Sequence, residues 1–207
     1  MQTYPIENRK QIIALAEKYV RYGSGSSQDS LRNRTAMQPV VDLRSIIRTT
    51  PFVVVGGLAT RLYMPERMTL DIDVLVLAED QEALYRELMQ EGCSKLGELT
   101  IGGSTWRLPD RTRLDVIISD EEWARQAIDA PVKGPLGVPT IALPYLVLMK
   151  LQSGRVQDIA DITRMLGGAS DTALDEVRRI IAEHVPEATE DMESMITLGR
   201  LEYEQPR

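Results

Sequence analysis

The run Leu70-Asp71-Ile72-Asp73-Val74-Leu75-Val76-Leu77 is apolar except for two aspartates two places apart, and it constrains the fold more than any other stretch of this chain. A β-branched, apolar run of this length reads as a buried strand. Alternate side chains of a strand leave opposite faces, so Asp71 and Asp73 project together while Ile72 and Val74 pack on the other side. The two backbones lie about 6 to 7 Å apart, close enough for ionised carboxylates to repel each other. A hard divalent cation removes that repulsion by sharing both ligands. The alternative is a strand edge whose acids are merely solvated.

The surrounding segments bear on that choice. Phe52-Val53-Val54-Val55 is a second β-branched strand, closed by Gly56-Gly57, and Leu58 to Met64 has the composition of a short helix stopped near Pro65. A glycine pair between strand and helix lets backbone N–H groups approach a triphosphate, and the helix N-terminus adds favourable partial charge. Farther on, Leu114-Asp115-Val116-Ile117-Ile118 is a third apolar strand, again interrupted by one acid. The order strand, Gly-Gly, helix, Asp-x-Asp strand and separate Asp strand is much more specific than any single part.

The remaining pattern predicts an α+β fold. Residues 6 to 20 have helical apolar spacing, and residues 22 to 38, rich in Gly, Ser, Asn and Arg, predict a mobile loop. A short helix from Pro39 carries Val40, Val41, Leu43, Ile46 and Ile47, and residues 80 to 91 predict another around Leu84, Leu88 and Met89. Gly102-Gly103 between Leu99-Thr100-Ile101 and Thr105-Trp106-Arg107 predicts a β-hairpin. Asp120-Glu121-Glu122 opens a helix with acids suited to its positive end, and 131 to 140 reads as loop or short strands. After Pro144 the chain reads as helices over 145–152, 155–166, 171–184 and 187–203. The expected organisation is an N-terminal helix and loop (1–38), a core (39–143) and a C-terminal helical region (144–207).

Composition excludes some functions. A net charge of −7 argues against a surface that coats phosphates generically, so a nucleic-acid substrate requires a local basic groove. No apolar run approaches the roughly 20 residues that span a bilayer, and Met1 to Lys10 lack the apolar stretch of a signal peptide. The expectation is a soluble, cytoplasmic protein with no membrane partner. Cys93, the single cysteine, reads as a buried thiol, and His184, the single histidine, as structural near a helix end.

Gly56-Gly57, thirteen residues, Asp71-Ile72-Asp73 and then Asp115 on a later strand together resemble the DNA polymerase β-type nucleotidyltransferase superfamily. Two further stretches, Arg67-Met68-Thr69 and Lys150-Leu151-Gln152-Ser153-Gly154-Arg155-Val156-Gln157-Asp158-Ile159-Ala160-Asp161, resemble the bacterial nucleotidyltransferase toxins of abortive-infection and toxin–antitoxin systems. The likeness covers residues 52 to about 166. It departs at one place: the superfamily usually has a serine or threonine at or just after the glycine pair, whereas this chain has Leu58-Ala59, with Thr60 one turn late.

The resemblance implies a mixed sheet flanked by helices, an NTP donor and Mg²⁺ or Mn²⁺ held by Asp71, Asp73 and Asp115. One ion would neutralise the β- and γ-phosphates and a second, at all three acids, would lower the pKa of the attacking hydroxyl. It implies a nucleotide-binding set of Gly56, Gly57, Arg67, Thr69, Lys150, Arg155 and Asp158, a tRNA or other RNA acceptor, and a cognate toxin or antitoxin protein as partner. Apart from the resemblance, Arg155 with Asp158, and Asp161 with Arg164, are ordinary ion pairs three apart on a helix. Trp106, Arg107, Arg111 and Arg113 read either as a patch for a base or RNA strand or, for Trp106, as hairpin packing. The acceptor stays open between RNA, a small-molecule hydroxyl and a protein hydroxyl, and a non-catalytic nucleotide-binding or regulatory module is the alternative function.

Overall fold

The computed structural model of the protein describes residues 42–204 except 65, 66, 68 and 70. The helix and loop expected over 1–38, and the start of the helix expected at Pro39, lie outside the described residues. A one-turn helix, α1 (Leu43–Ile46), is capped by the Asp42 carboxylate, which accepts from the Arg44 N–H. The chain then enters β1 (Val53–Val55), passes without a loop into α2 (Gly56–Tyr63) and returns antiparallel as β2 (Ile72–Leu77). After α3 (Gln81–Gln90), the strands β3 (Ser94–Glu98), β4 (Gly103–Arg107) and β5 (Arg113–Ser119) run as an antiparallel meander. The last of them lies parallel to β2. Helix α4 (Glu122–Asp129) and two short strands, β6 (Val132–Lys133) and β7 (Pro139–Thr140), extend the sheet beyond β1. Helices α5 (Leu143–Ser153), α6 (Val156–Gly167), α7 (Asp171–His184) and α8 (Thr189–Glu204) complete the described chain.

Among the described residues the sheet has seven strands in the order β3-β4-β5-β2-β1-β7-β6, with helices on both faces, so the α+β expectation holds. Strand alternation sorts the core into two layers. Ile72, Val74 and Val76 join Leu114, Val116, Trp106, Leu84 and Leu88 beneath α1 and α3. Leu75 and Leu77 face the other way and join Val53, Val55 and Ala59 with side chains from α4 to α8. Asp73 shares the parity of Leu75, so the acids stand on the layer that the C-terminal helices cover, at its margin. The helical region therefore has no separate core: Leu146, Ile162, Leu174 and Met192 belong to one cluster with the central strands.

The hairpin around Gly102-Gly103 places its second strand over the expected Thr105-Trp106-Arg107, whereas its first strand lies N-terminal to the expected Leu99-Thr100-Ile101. Its first strand is Ser94–Glu98, and Leu99 to Gly102 make the turn, leaving Ile101 69% exposed. The reason lies across the sheet. A Cβ on Gly103 (φ 103°) would sit 2.0 Å from the Val116 carbonyl oxygen, so this glycine is needed where β4 first meets β5 rather than at the tip of the turn. Cys93 is buried, as expected, and burial pushes its thiol pKa up. No described helix is long and apolar enough to cross a membrane.

Helices α6 and α8 cross at backbone contact. A Cβ on Gly199 would lie 2.1 Å from the Thr163 carbonyl oxygen, and one on Gly167 2.4 Å from the Gly199 carbonyl carbon. Gly199→Ala should force the helices apart and lower stability by about 1–3 kcal/mol, the usual cost of overpacking, measured by denaturant unfolding. An unchanged midpoint would show that the crossing is not close in solution.

Candidate active site

Strand register brings two of the three acids together, while Asp71 lies just before β2. Asp73 and Asp115 are direct partners on the parallel strands β2 and β5, and Val55, the last residue of β1, is paired with Asp73 from the other side. The residue after Val55 is Gly56, which enters α2 with φ 60°. A Cβ there would fall 2.1 Å from Asp73 Oδ2, so only glycine lets the strand-to-helix turn lie against the carboxylate. A Cβ on Gly57 would strike the Thr69 side chain at 2.8 Å. The Thr69 hydroxyl donates to the Asp71 carbonyl at 3.2 Å, so Thr69 links the glycine turn to the entry of β2.

Asp73 carries the main electrostatic cost. Burial first, then the field of Asp115, then that of Asp71, raise its pKa from 3.8 to about 6, while a hydrogen bond from the Gly57 N–H and the Arg155 guanidinium pull it back. Asp115 is already satisfied. Its Oδ1 accepts from the Thr105 hydroxyl at 2.7 Å and from Arg113 Nε at 3.2 Å, and its Oδ2 accepts from Arg113 Nη2 at 3.2 Å. Arg113 and Asp115 are two apart on one strand and so share a face, and Thr105 is Asp115's partner on β4. At the exposed Arg113 the hydrogen bond to Asp115, followed by that carboxylate's charge, raises the guanidinium pKa.

The second constellation lies where α5 meets α6. Helix α5 ends at Gly154 in the left-handed conformation (φ 63°), and α6 starts two residues later, so the last turn of one faces the first turns of the other. Lys150, 6% exposed, places its ammonium 2.7 Å from Asp158 Oδ1 and 2.8 Å from Asp161 Oδ2. Both aspartates are buried and each holds an arginine as well: Arg155 Nε is 2.7 Å from Asp158, and Arg67 Nε is 3.2 Å from Asp161. The Ser153 hydroxyl also donates to Asp158. Although burial alone would raise the Asp158 pKa, the bonds from Lys150, Ser153 and Arg155 hold it below the usual carboxylate value.

Sequence-derived site residues thus fall into two groups. Gly56, Gly57, Thr69, Asp71, Asp73 and Asp115 converge on one end of the sheet. Lys150 and Asp158 are engaged with each other below the surface, Arg67 is held by Asp161, and Arg155 is held by Asp158 with its charge felt at Asp73. Asp161 pairs with Lys150 and Arg67 rather than with Arg164, whose partner is Glu202. Thr60 is turned inward, its hydroxyl donating to the Gly56 carbonyl, so it supplies no hydroxyl at the glycine turn. Trp106 is core: its ring packs against Tyr85 at 5.1 Å and its Nε1 donates to Ser104. Arg113 and Thr105 were not read as partners of Asp115, although the i, i+2 spacing of Arg113 carried the signal.

The donor set of three carboxylates has the chemistry a hard divalent cation requires, and the repulsion that raises the Asp73 pKa is what such an ion relieves. In this structure Asp115 is drawn to Thr105 and Arg113, and among the described residues no three His, Cys, Asp or Glu side chains converge tightly enough to hold a metal.

Two measurements follow from these charges. The folded-state pKa of Asp73 lies above the unfolded value, so the folded state binds the extra proton. Stability from this group is complete below pH 3.8 and is lost as pH rises through about 6. Asp73→Asn should therefore flatten the pH dependence in that window. Without divalent ions at pH 7 to 8 it should stabilise the protein by about 2 kcal/mol, somewhat less than the full shift because the carboxylate keeps partial solvent. A parallel pH profile for both proteins would refute this. Lys150→Ala leaves two buried aspartates without their shared cation and should cost about 3–5 kcal/mol in thermal or chemical unfolding. If stability is unchanged and only nucleotide affinity falls, Lys150 acts on phosphate and not in the core.

No curated protein matches the chain. The antibiotic-resistance factor ANT(2'')-Ia shares 16% identity over 85% of this chain and 92% of its own, with a TM-score of 0.41. The Thermotoga maritima CCA-adding enzyme complexed with tRNA shares 14% identity over 80% of this chain and 50% of its own, with a TM-score of 0.37. The Megavirus polyadenylate synthase shares 12% identity over 90% of this chain and 39% of its own, with a TM-score of 0.38. At such identities no residue role passes from them to this chain. The family model described as nucleotidyltransferase of unknown function (DUF6036) matches residues 35–205, and the chain belongs to that family.

Proposed function

We propose that this protein is a metal-dependent nucleotidyltransferase that moves an NMP from an NTP to an acceptor hydroxyl or phosphate, with release of pyrophosphate. The single observation that supports it most is the direct pairing of Asp73 with Asp115 beside the Gly56-Gly57 turn. Asp71, Asp73 and Asp115 would hold Mg²⁺ or Mn²⁺, which when bound neutralises phosphate charge and makes the acceptor hydroxyl a better nucleophile. The Gly56-Gly57 turn, at the start of α2, offers backbone N–H groups to phosphate oxygens. Arg155, exposed beyond its bond to Asp158, lies close enough to Asp73 to stabilise its charge and is placed to meet a phosphate; Arg67 is held by Asp161 at the same junction. Lys150 and Asp158 act on the nucleotide through these arginines. Such transfer needs positioning and charge neutralisation rather than a protein nucleophile.

An RNA end, such as that of tRNA, is the acceptor we favour, on the likeness of Arg67-Met68-Thr69 and the Lys150–Asp161 stretch to nucleotidyltransferase toxins. The same likeness motivates a cognate toxin or antitoxin protein as partner. A second reading, nucleotide binding without turnover, draws on one observation: Leu58 occupies the position of the usual hydroxyl, and Thr60 is bonded to Gly56.

The test is label transfer from each of four α-labelled NTPs, with Mg²⁺ or Mn²⁺, to bulk tRNA, cell protein and small-molecule extract. Label is expected in the RNA pool and should fall about a hundredfold or more in Asp71→Ala/Asp73→Ala. Label in another pool would reassign the acceptor. Nucleotide binding with no label in any pool would favour the second reading.

A further inference from the structure

We propose that Arg113 is the resident counter-cation of the acid cluster, competing with a divalent metal ion for Asp115 and leaving that carboxylate when metal binds. This rests on the metal-site reading given above. Three observations carry it. First, the guanidinium grips both oxygens of Asp115, Nε to Oδ1 and Nη2 to Oδ2, each at 3.2 Å, and Thr105 takes a further position on Oδ1. Little acceptor capacity is left for an ion while this arrangement lasts. Second, the Arg113 side chain is 50% exposed whereas that of Asp115 is 14% exposed. The arginine can swing into solvent at small cost; the aspartate, fixed by register on β5 and by Thr105, cannot follow it. Third, Asp73 stands directly across from Asp115. A guanidinium on Asp115 offsets part of their mutual repulsion, so the cluster folds without metal, and a divalent ion between the strands offsets more of it.

The geometry separates exchange from a general field effect, because Arg107 lies opposite Arg113 in the β4–β5 register and is exposed, while the contact to Asp115 belongs to Arg113. Mn²⁺ binding to the intact chain, read by electron paramagnetic resonance of the free ion and by calorimetry, needs no turnover. Arg113→Ala should bind Mn²⁺ about two- to fivefold more tightly than the natural protein, the range an ion pair of this exposure supplies. Arg113→Lys keeps the charge but loses the two-pronged grip and should fall between. Arg107→Ala should change affinity far less than Arg113→Ala. Equal gains from Arg107→Ala and Arg113→Ala, with Arg113→Lys unchanged, would overturn exchange in favour of a diffuse field. Unchanged or weaker binding in Arg113→Ala would overturn it outright. Asp115→Asn and Asp71→Ala/Asp73→Ala separate the two levels: if they bind Mn²⁺ as well as the natural protein, the metal-site reading fails, and the proposal with it. If they lose binding while Arg113→Ala changes nothing, the proposal alone fails. Binding seen in Arg113→Ala and absent in the natural protein would support both.

Discussion

Two carboxylates held side by side on adjacent parallel strands repel each other, and much of what surrounds the sheet end can be understood as the means of tolerating that. Asp73 cannot move away, because Val55 pairs with it on one side and Asp115 on the other. Burial and the neighbouring carboxylates push its pKa up to about 6 even though a glycine N–H and an arginine pull the other way. Each response is a positive group brought in by a different element: the Gly57 N–H from the start of α2, Arg113 from the same strand as Asp115, and Arg155 from the N-cap position of α6. A chain with a net charge of −7 thus concentrates cations at one place, where a generally basic surface would not have been needed.

The helical region is part of that arrangement. Asp158 and Asp161 are buried three apart on α6, and the ammonium of Lys150 lies between them. Because each aspartate also holds an arginine, the buried lysine fixes two guanidiniums that it never touches. Lys150 and Asp158 therefore matter for where Arg155 and Arg67 stand. The contact between the glycines of α6 and α8 lets α8 lie directly against the helix that carries both aspartates.

Much of this was legible in the sequence because it depends on local periodicity. The alternation in β2, with Asp73 on the face of Leu75 and opposite Val74, follows from the pleat, whereas Asp71, expected on the same strand, lies in the bend just before it. What was not legible depends on register and on helix crossing. Nothing local says that Asp73 lies opposite Asp115 rather than one residue away, or that Thr105 would reach Asp115 from β4. The first hairpin strand lies earlier than expected because Gly103 answers to a carbonyl on β5, a contact outside any turn rule. Arg164 looked like a partner for Asp161 three residues earlier, yet it binds Glu202 because Asp161 faces inward to Lys150.

The same distinction explains why the lysine and the two aspartates of the α5–α6 junction invite a wrong inference from spacing alone. Charged residues three apart on a helix usually form solvated pairs of small value. Here the turn at Gly154 folds α6 back so that those positions face α5; Ile162, next to Asp161, belongs to the main core cluster, and Ile159, next to Asp158, packs against it. Once buried, each charge must be matched, and a single lysine has to serve two carboxylates while each carboxylate recruits an arginine from the margin. The result is a chain of alternating charge, Arg67, Asp161, Lys150, Asp158 and Arg155, with both ends cationic and the middle dry. Its one anchored lysine thereby ties Arg155, whose charge reaches Asp73, to the buried junction of two helices.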